Sequence, residues 1–121
     1  MTNFVSGTAL TAAALNTAFN QLSINTQAGA YTLVLADQGG GVMVNSTSAN
    51  ALTIPPNSSV AFPVGTTVVV AALNTGITTL TPGVGVTIVG TPGLKLRTRY
   101  SGATCIQTSA NTWLALGDLS A

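Results

Sequence analysis

Five charged side chains (Asp37, Lys95, Arg97, Arg99 and Asp118) and one thiol, Cys105, are nearly all the chain offers acid–base or nucleophilic chemistry, since it has no histidine and no glutamate. Two carboxylates flanking a bond are what a glycosidase needs. Here each acid lies beside a glycine, in Gln38-Gly39 and Gly117-Asp118, the setting in which an Asp bonds its own turn backbone. A polysaccharide hydrolase would require Asp37 and Asp118 to converge in a cleft. The many Ser and Thr hydroxyls lack a histidine to activate them, and no cation stands near Cys105 in sequence to lower its pKa. Cys105 lies in the run Ala103-Thr104-Cys105-Ile106 and reads as a small buried hydrophobe. No clustered His, Cys or carboxylate suggests a metal site. Gly39-Gly40-Gly41 lacks the Lys-Ser/Thr ending and following helix of a phosphate loop. The expectation is no catalytic residue, no cofactor and no metal.

The cations form a pattern of their own. Lys95, Arg97 and Arg99 occupy alternate positions of 94–100, so a strand there would carry all three on one face and Leu94, Leu96 and Thr98 on the other. Such a ridge could dock on an acidic partner or an anionic glycan, or it could be a solvated guard against edge-to-edge aggregation. Three cations are too few for phosphate-backbone binding, so nucleic acid is not an expected partner.

The elements that must position these residues are mostly strands. Short β-like runs fall at 31–36, 42–45, 51–54, 66–73, 77–80, 86–89, 94–100, 104–108 and 112–116, separated by Gly, Pro and Asn turn signals. Trp113 is the foremost core candidate, and Phe62, Tyr31 and Tyr100 also sit in or beside apolar runs. Before them, 8–24 reads as a short helix with Ala12, Leu15, Phe19 and Leu22 on one stripe. Leu15, Phe19 and Leu22 are therefore candidate partner contacts, together with Lys95, Arg97 and Arg99. Residues 1–28 form an N-terminal arm with this helix, and 29–121 a β-rich domain. The fold class expected is mainly β, an antiparallel sandwich or barrel of short strands, with a β-helical or interlaced trimeric fold as the alternative. Thr-Pro-Gly recurs at 81–83 and 91–93, too few copies to define a solenoid.

Composition bears on partners. Charged residues make up 4% of the chain, against about 25% in an ordinary soluble domain. A net charge of +1 gives little self-repulsion, so much of the surface is expected to be covered in an assembly. No basic n-region of a secretory signal is apparent. The longest apolar run, 68–73, is far short of a bilayer span. The chain is expected to work in cytoplasm or in a particle assembled there, without a membrane partner.

Several segments carry a resemblance. Residues 31–37 (YTLVLAD), 51–66 (ALTIPPNSSVAFPVGT), 93–97 (GLKLR) and 112–119 (TWLALGDL) look like a β-rich module of tailed-bacteriophage structural proteins, and 5–13 (VSGTALTAA) is similar to segments that introduce it. The resemblance implies a virion structural protein: a capsid decoration (cement) protein, homotrimeric, contacting itself and the major capsid protein or another virion protein. The alternative is a tail-fibre, head-fibre or adhesin-type module that binds host glycan around Tyr31, Tyr100 or Asn111. A 121-residue chain leaves no room for a fibre shaft, which favours decoration.

Overall fold

The computed structural model describes residues 21–121, which are mainly β. In chain order the strands are β1 (Ile24–Gln27), β2 (Tyr31–Thr32), β3 (Gly41–Val44), β4 (Asn50–Ile54), β5 (Thr67–Ala72), β6 (Thr78–Pro82), β7 (Thr87–Gly90), β8 (Lys95–Leu96), β9 (Gly102–Ser109), β10 (Thr112–Gly117) and β11 (Leu119–Ser120), with a single 3₁₀ turn at Leu35–Asp37. None of the described residues forms a helix long and apolar enough to cross a membrane.

Strands β1 to β9 alternate between two sheets. The six-stranded sheet has the order β1-β3-β5-β9-β10-β7, and the five-stranded sheet β11-β8-β6-β4-β2. β3 pairs in parallel with β1 on one side and β5 on the other, and β4 does the same with β2 and β6 in the second sheet. Parallel neighbours need a crossover connection, and here the crossover is a strand of the opposite sheet. Residues 24–82 thus coil around a shared interior. The winding changes after β6. A two-residue turn at Ala110 and Asn111 (φ 61°) joins β9 to β10, and this hairpin lies between β5 and β7. It runs antiparallel to β5 on one side and parallel to β7 on the other.

Strand periodicity builds the core. Val42 and Val44, Leu52 and Ile54, Val68, Val70 and Ala72, then Ala103, Cys105 and Gln107 alternate inward along their strands and are buried. Trp113 is 1% exposed and meets Phe62 edge-to-face, with ring centroids 5.5 Å apart. Gln107, buried among these groups, has the carbonyls of Phe62 and Pro63 each 2.8 Å from its amide, close enough to accept from it.

The mainly β expectation holds, with three corrections to its details. Antiparallel pairing governs only the ladders made by β8 and β9, because the earlier connections cross between sheets instead of folding back as hairpins. The helix expected over 8–24 lies, with Leu15 and Phe19, outside the described residues as far as 20. Within them, Ile24 opens a strand in parallel register with Gly41 rather than closing a helix. The strand expected over 31–36 stops after Thr32, where Asp37 draws the chain into the 3₁₀ turn by accepting from the Val34 N–H.

Candidate functional site

Asp37 is buried at 5% exposure and forms no ion pair among the described residues. Its carboxylate accepts from Asn25 Nδ2 (2.9 Å), from the Tyr31 hydroxyl (2.7 Å) and from the Val34 N–H (2.9 Å). Asn25 Nδ2 also donates to the Tyr31 oxygen, and Gln27 holds Asn25 from behind through its Oδ1. This network ties β1, β2 and the 3₁₀ turn together. Burial, then the hydrogen bond to Asp37 and its negative charge, raise the Tyr31 phenol above the ordinary tyrosine value.

Asp118 is exposed and receives a fork from Arg97, Nε to Oδ1 at 2.8 Å and a terminal nitrogen to Oδ2 at 3.0 Å. The Ser101 hydroxyl donates to the same Oδ2 at 2.7 Å. The Arg97 and Ser101 bonds hold the Asp118 carboxyl below the usual carboxylate range, and the same pairing raises the Arg97 guanidinium. The two acids lie at opposite ends of β5. Gly39, two residues past Asp37, donates to Thr67 where β5 begins. The Asp118 N–H donates to Gly102, which stands across from Ala71 where β5 finishes. The convergence a hydrolase requires of them is not the arrangement found.

The basic ridge expected along 94–100 is broken. Only Lys95 and Leu96 form a strand, and Tyr100 adopts a left-handed φ of 69° in the turn that brings the Ser101 N–H to Thr98. Lys95 projects from the five-stranded sheet, and Arg97 is committed to Asp118. Arg99 lies over the Tyr100 ring, 4.8 Å from its centroid, and donates to the Leu73 carbonyl. Tyr100, expected near the core, is 71% exposed. Leu22 is half exposed, and Asn111 is spent in accepting from the Asn57 N–H.

Cys105 fulfils its reading as a buried hydrophobe at 1% exposure, and burial pushes its thiol up to about 12. The thiolate is the reactive form. The folded chain is therefore expected to resist a maleimide or disulfide reagent at neutral pH, while the urea-unfolded chain reacts at the ordinary rate. Rapid labelling of the native protein would contradict that burial.

Sequence reasoning did not single out the outward face of the six-stranded sheet. One row across it runs Ile24, Gly41, Val69, Thr104 and Leu116, and another Thr67, Ile106, Leu114 and Val89. The side chains of Ile24 and Met43 lean over Gly41, where a Cβ would lie 3.0 Å from the Met43 methyl. No charged residue stands in either row. Val89 is 47% and Leu116 52% exposed, and both border an open apolar depression of about 440 Å³ floored by Gly90 and Ala115. The signal was in the sequence: Thr112-Trp113-Leu114-Ala115-Leu116 and Val68-Val69-Val70-Ala71-Ala72 are apolar at both parities, so a strand made from them carries apolar groups on both faces.

These features define a wound β scaffold with its acids engaged in hydrogen bonds and a broad uncharged sheet surface. No protein-family model matches the chain, and comparison with curated proteins finds no significant match.

Proposed function

We propose that the chain is a structural subunit of a tailed-bacteriophage particle, a capsid decoration (cement) protein that sits on the shell as a homotrimer and braces joints between major capsid subunits. The observation that carries this reading is the pairing of an uncharged, partly apolar outer sheet with a core wound into a short solenoid-like coil. Such a body offers adhesive surface on a stiff frame. Its strands bond their neighbours and each turn of the coil supports the next, as suits a part that must hold its shape under load.

Attachment in this reading comes from buried apolar area and backbone hydrogen bonds, with little electrostatic steering. Salt shortens the Debye length from about 10 Å at 0.1 M to about 3 Å at 1 M and weakens exposed ion pairs, while apolar contacts persist. Purified chain is expected to co-sediment with capsids equally well across that range. Steep loss of binding between low and moderate salt would sink the mechanism, and failure to bind capsids at any salt would sink the function. Exposed Tyr100, with Arg99 against its ring, favours a second reading as a glycan-binding fibre module. In that case glycan-array signal from the isolated protein should disappear in Tyr100→Ala.

A further inference from the structure

We propose that the outward face of the six-stranded sheet is the surface on which a second copy of this chain docks, centred on Ile106, Leu114, Leu116 and Val89. This rests on the reading of the chain as an assembling subunit and names the surface that assembly uses.

Three observations converge on that face. First, its apolar side chains are in register across four neighbouring strands: Ile106 of β9 stands opposite Leu114 of β10, and Leu114 opposite Val89 of β7, while Val69 of β5 and Leu116 of β10 flank the shared Thr104. They form one continuous surface. Monomers rarely leave such patches open beyond a few hundred Å². Second, the area suffices. Six strands spaced about 4.8 Å apart and four to eight residues long, at about 3.3 Å per residue, give a face of roughly 500 Å². Two copies would bury about 1,000 Å² through it, the lower bound for a specific interface. Third, the apolar depression beside Val89 and Leu116 makes the face concave at one edge, so it can receive a projecting side chain.

Charge selects the occupant. An uncharged apolar face that covers a partner's ions desolvates them and gives nothing back. An ordinary soluble partner is about 25% charged; this chain is 4% charged. Its own charged side chains lie elsewhere: Lys95 on the other sheet, Arg97 paired with Asp118 beyond the end of β10, Arg99 stacked on Tyr100 and bonded to the Leu73 carbonyl past the end of β5, and Asp37 buried. A second copy can therefore cover the face without burying an unpaired charge.

The test is the solution mass of the full chain, by light scattering after gel filtration at tens of micromolar. The wild type is expected at a multiple of the single-chain mass. Leu116→Lys and Val89→Lys, each at a half-exposed position where lysine can be solvated in the free chain, are expected to raise the dissociation constant about 100-fold or more, because docking would bury the new charge. Both should retain a native circular dichroism spectrum and a protected Cys105. Thr53→Lys, on the opposite sheet, should leave the mass unchanged. A monomeric wild type overturns the proposal, whether residues 1–20 of the same chain or another protein then cover the face. Folded Leu116→Lys and Val89→Lys variants that keep the wild-type mass also overturn it, and leave the capsid reading to stand or fall on its own binding assay.

Discussion

Trp113→Ala is expected to remove about 3–5 kcal/mol of folding stability, the range for truncating a large buried aromatic. The total for a domain of this size is about 5–15 kcal/mol, so the loss takes a large share of it and should lower the urea midpoint markedly. Trp113 is the largest fully buried side chain among the described residues, and it stands against Phe62 at an interplanar angle of 88°. It projects inward from β10, which is bonded to β9 on one side and β7 on the other. The void would therefore open where the β9–β10 hairpin meets the coil made by the earlier strands. Collapse into it from β10 is restricted, because that strand is held by ladders on both flanks. Cys105 is the only cysteine, so no intrachain disulfide backs up the core. Trp113→Phe keeps an edge-to-face partner for Phe62 and should cost distinctly less. Urea unfolding followed by circular dichroism decides the matter, since the variant loses its fluorophore. A midpoint within a few tenths of molar of the wild type would mean that this contact does not organise the core.

Strand positions are legible in the sequence because the punctuation is chemical: Gly, Pro and Asn supply most of the turns between β3 and β10, the exception being 97–101 before β9, and inward alternation marks Leu52 and Ile54 or Val68 and Val70. Pairing direction is not legible. A two-residue period is the same in parallel and antiparallel strands, and direction depends on whether a connection folds back or crosses to the other sheet. The connection at Ala110 and Asn111 folds back, whereas Pro55 to Thr66 crosses, and both read simply as turn-rich. β1 escapes notice because Ile24 follows directly on an apolar spacing that suits a helix. Its strand character comes from the ladder with β3, a contact distant in sequence.

The candidate site is unevenly legible for a related reason. Trp113 and Cys105 declare their burial through their apolar neighbours. The alternation of Lys95, Arg97 and Arg99 is real, but only a continuous strand could turn it into a ridge, and Tyr100 at φ 69° ends that possibility. What the acids do was partly foreseeable. A turn position beside glycine suggested backbone bonding, and Asp37 does accept the Val34 N–H. Its side-chain donors Asn25 and Tyr31 come from separate strands, and no local pattern in the sequence brings them to it.

Asp37→Ala should then be the most damaging polar substitution, costing about 3 kcal/mol, since hydrogen bonds to a charged group and the donors orphaned by its loss are each worth about 1–3 kcal/mol. Three donors, from Asn25, Tyr31 and Val34, converge on that carboxylate, which is itself buried. Asp37→Asn preserves one acceptor oxygen but puts an amide where a second donor must be received, so it should fall between alanine and wild type. Tyr31→Phe removes one donor and leaves the acid its other two, and should cost least. The network also gives stability a dependence on pH. The Tyr31 pKa is raised in the fold, so the folded state favours the neutral phenol. The resulting contribution is complete below the unfolded tyrosine value of about 10 and is lost as pH climbs through the higher folded value. Wild type should accordingly exceed Tyr31→Phe in stability at pH 8, and that margin should shrink in strongly alkaline buffer. If urea midpoints of the two proteins differ by the same amount at both pH values, the phenol is not bonded to a buried carboxylate as described. If Asp37→Ala melts with the wild type, the network is not what fastens β1 and β2 to the 3₁₀ turn.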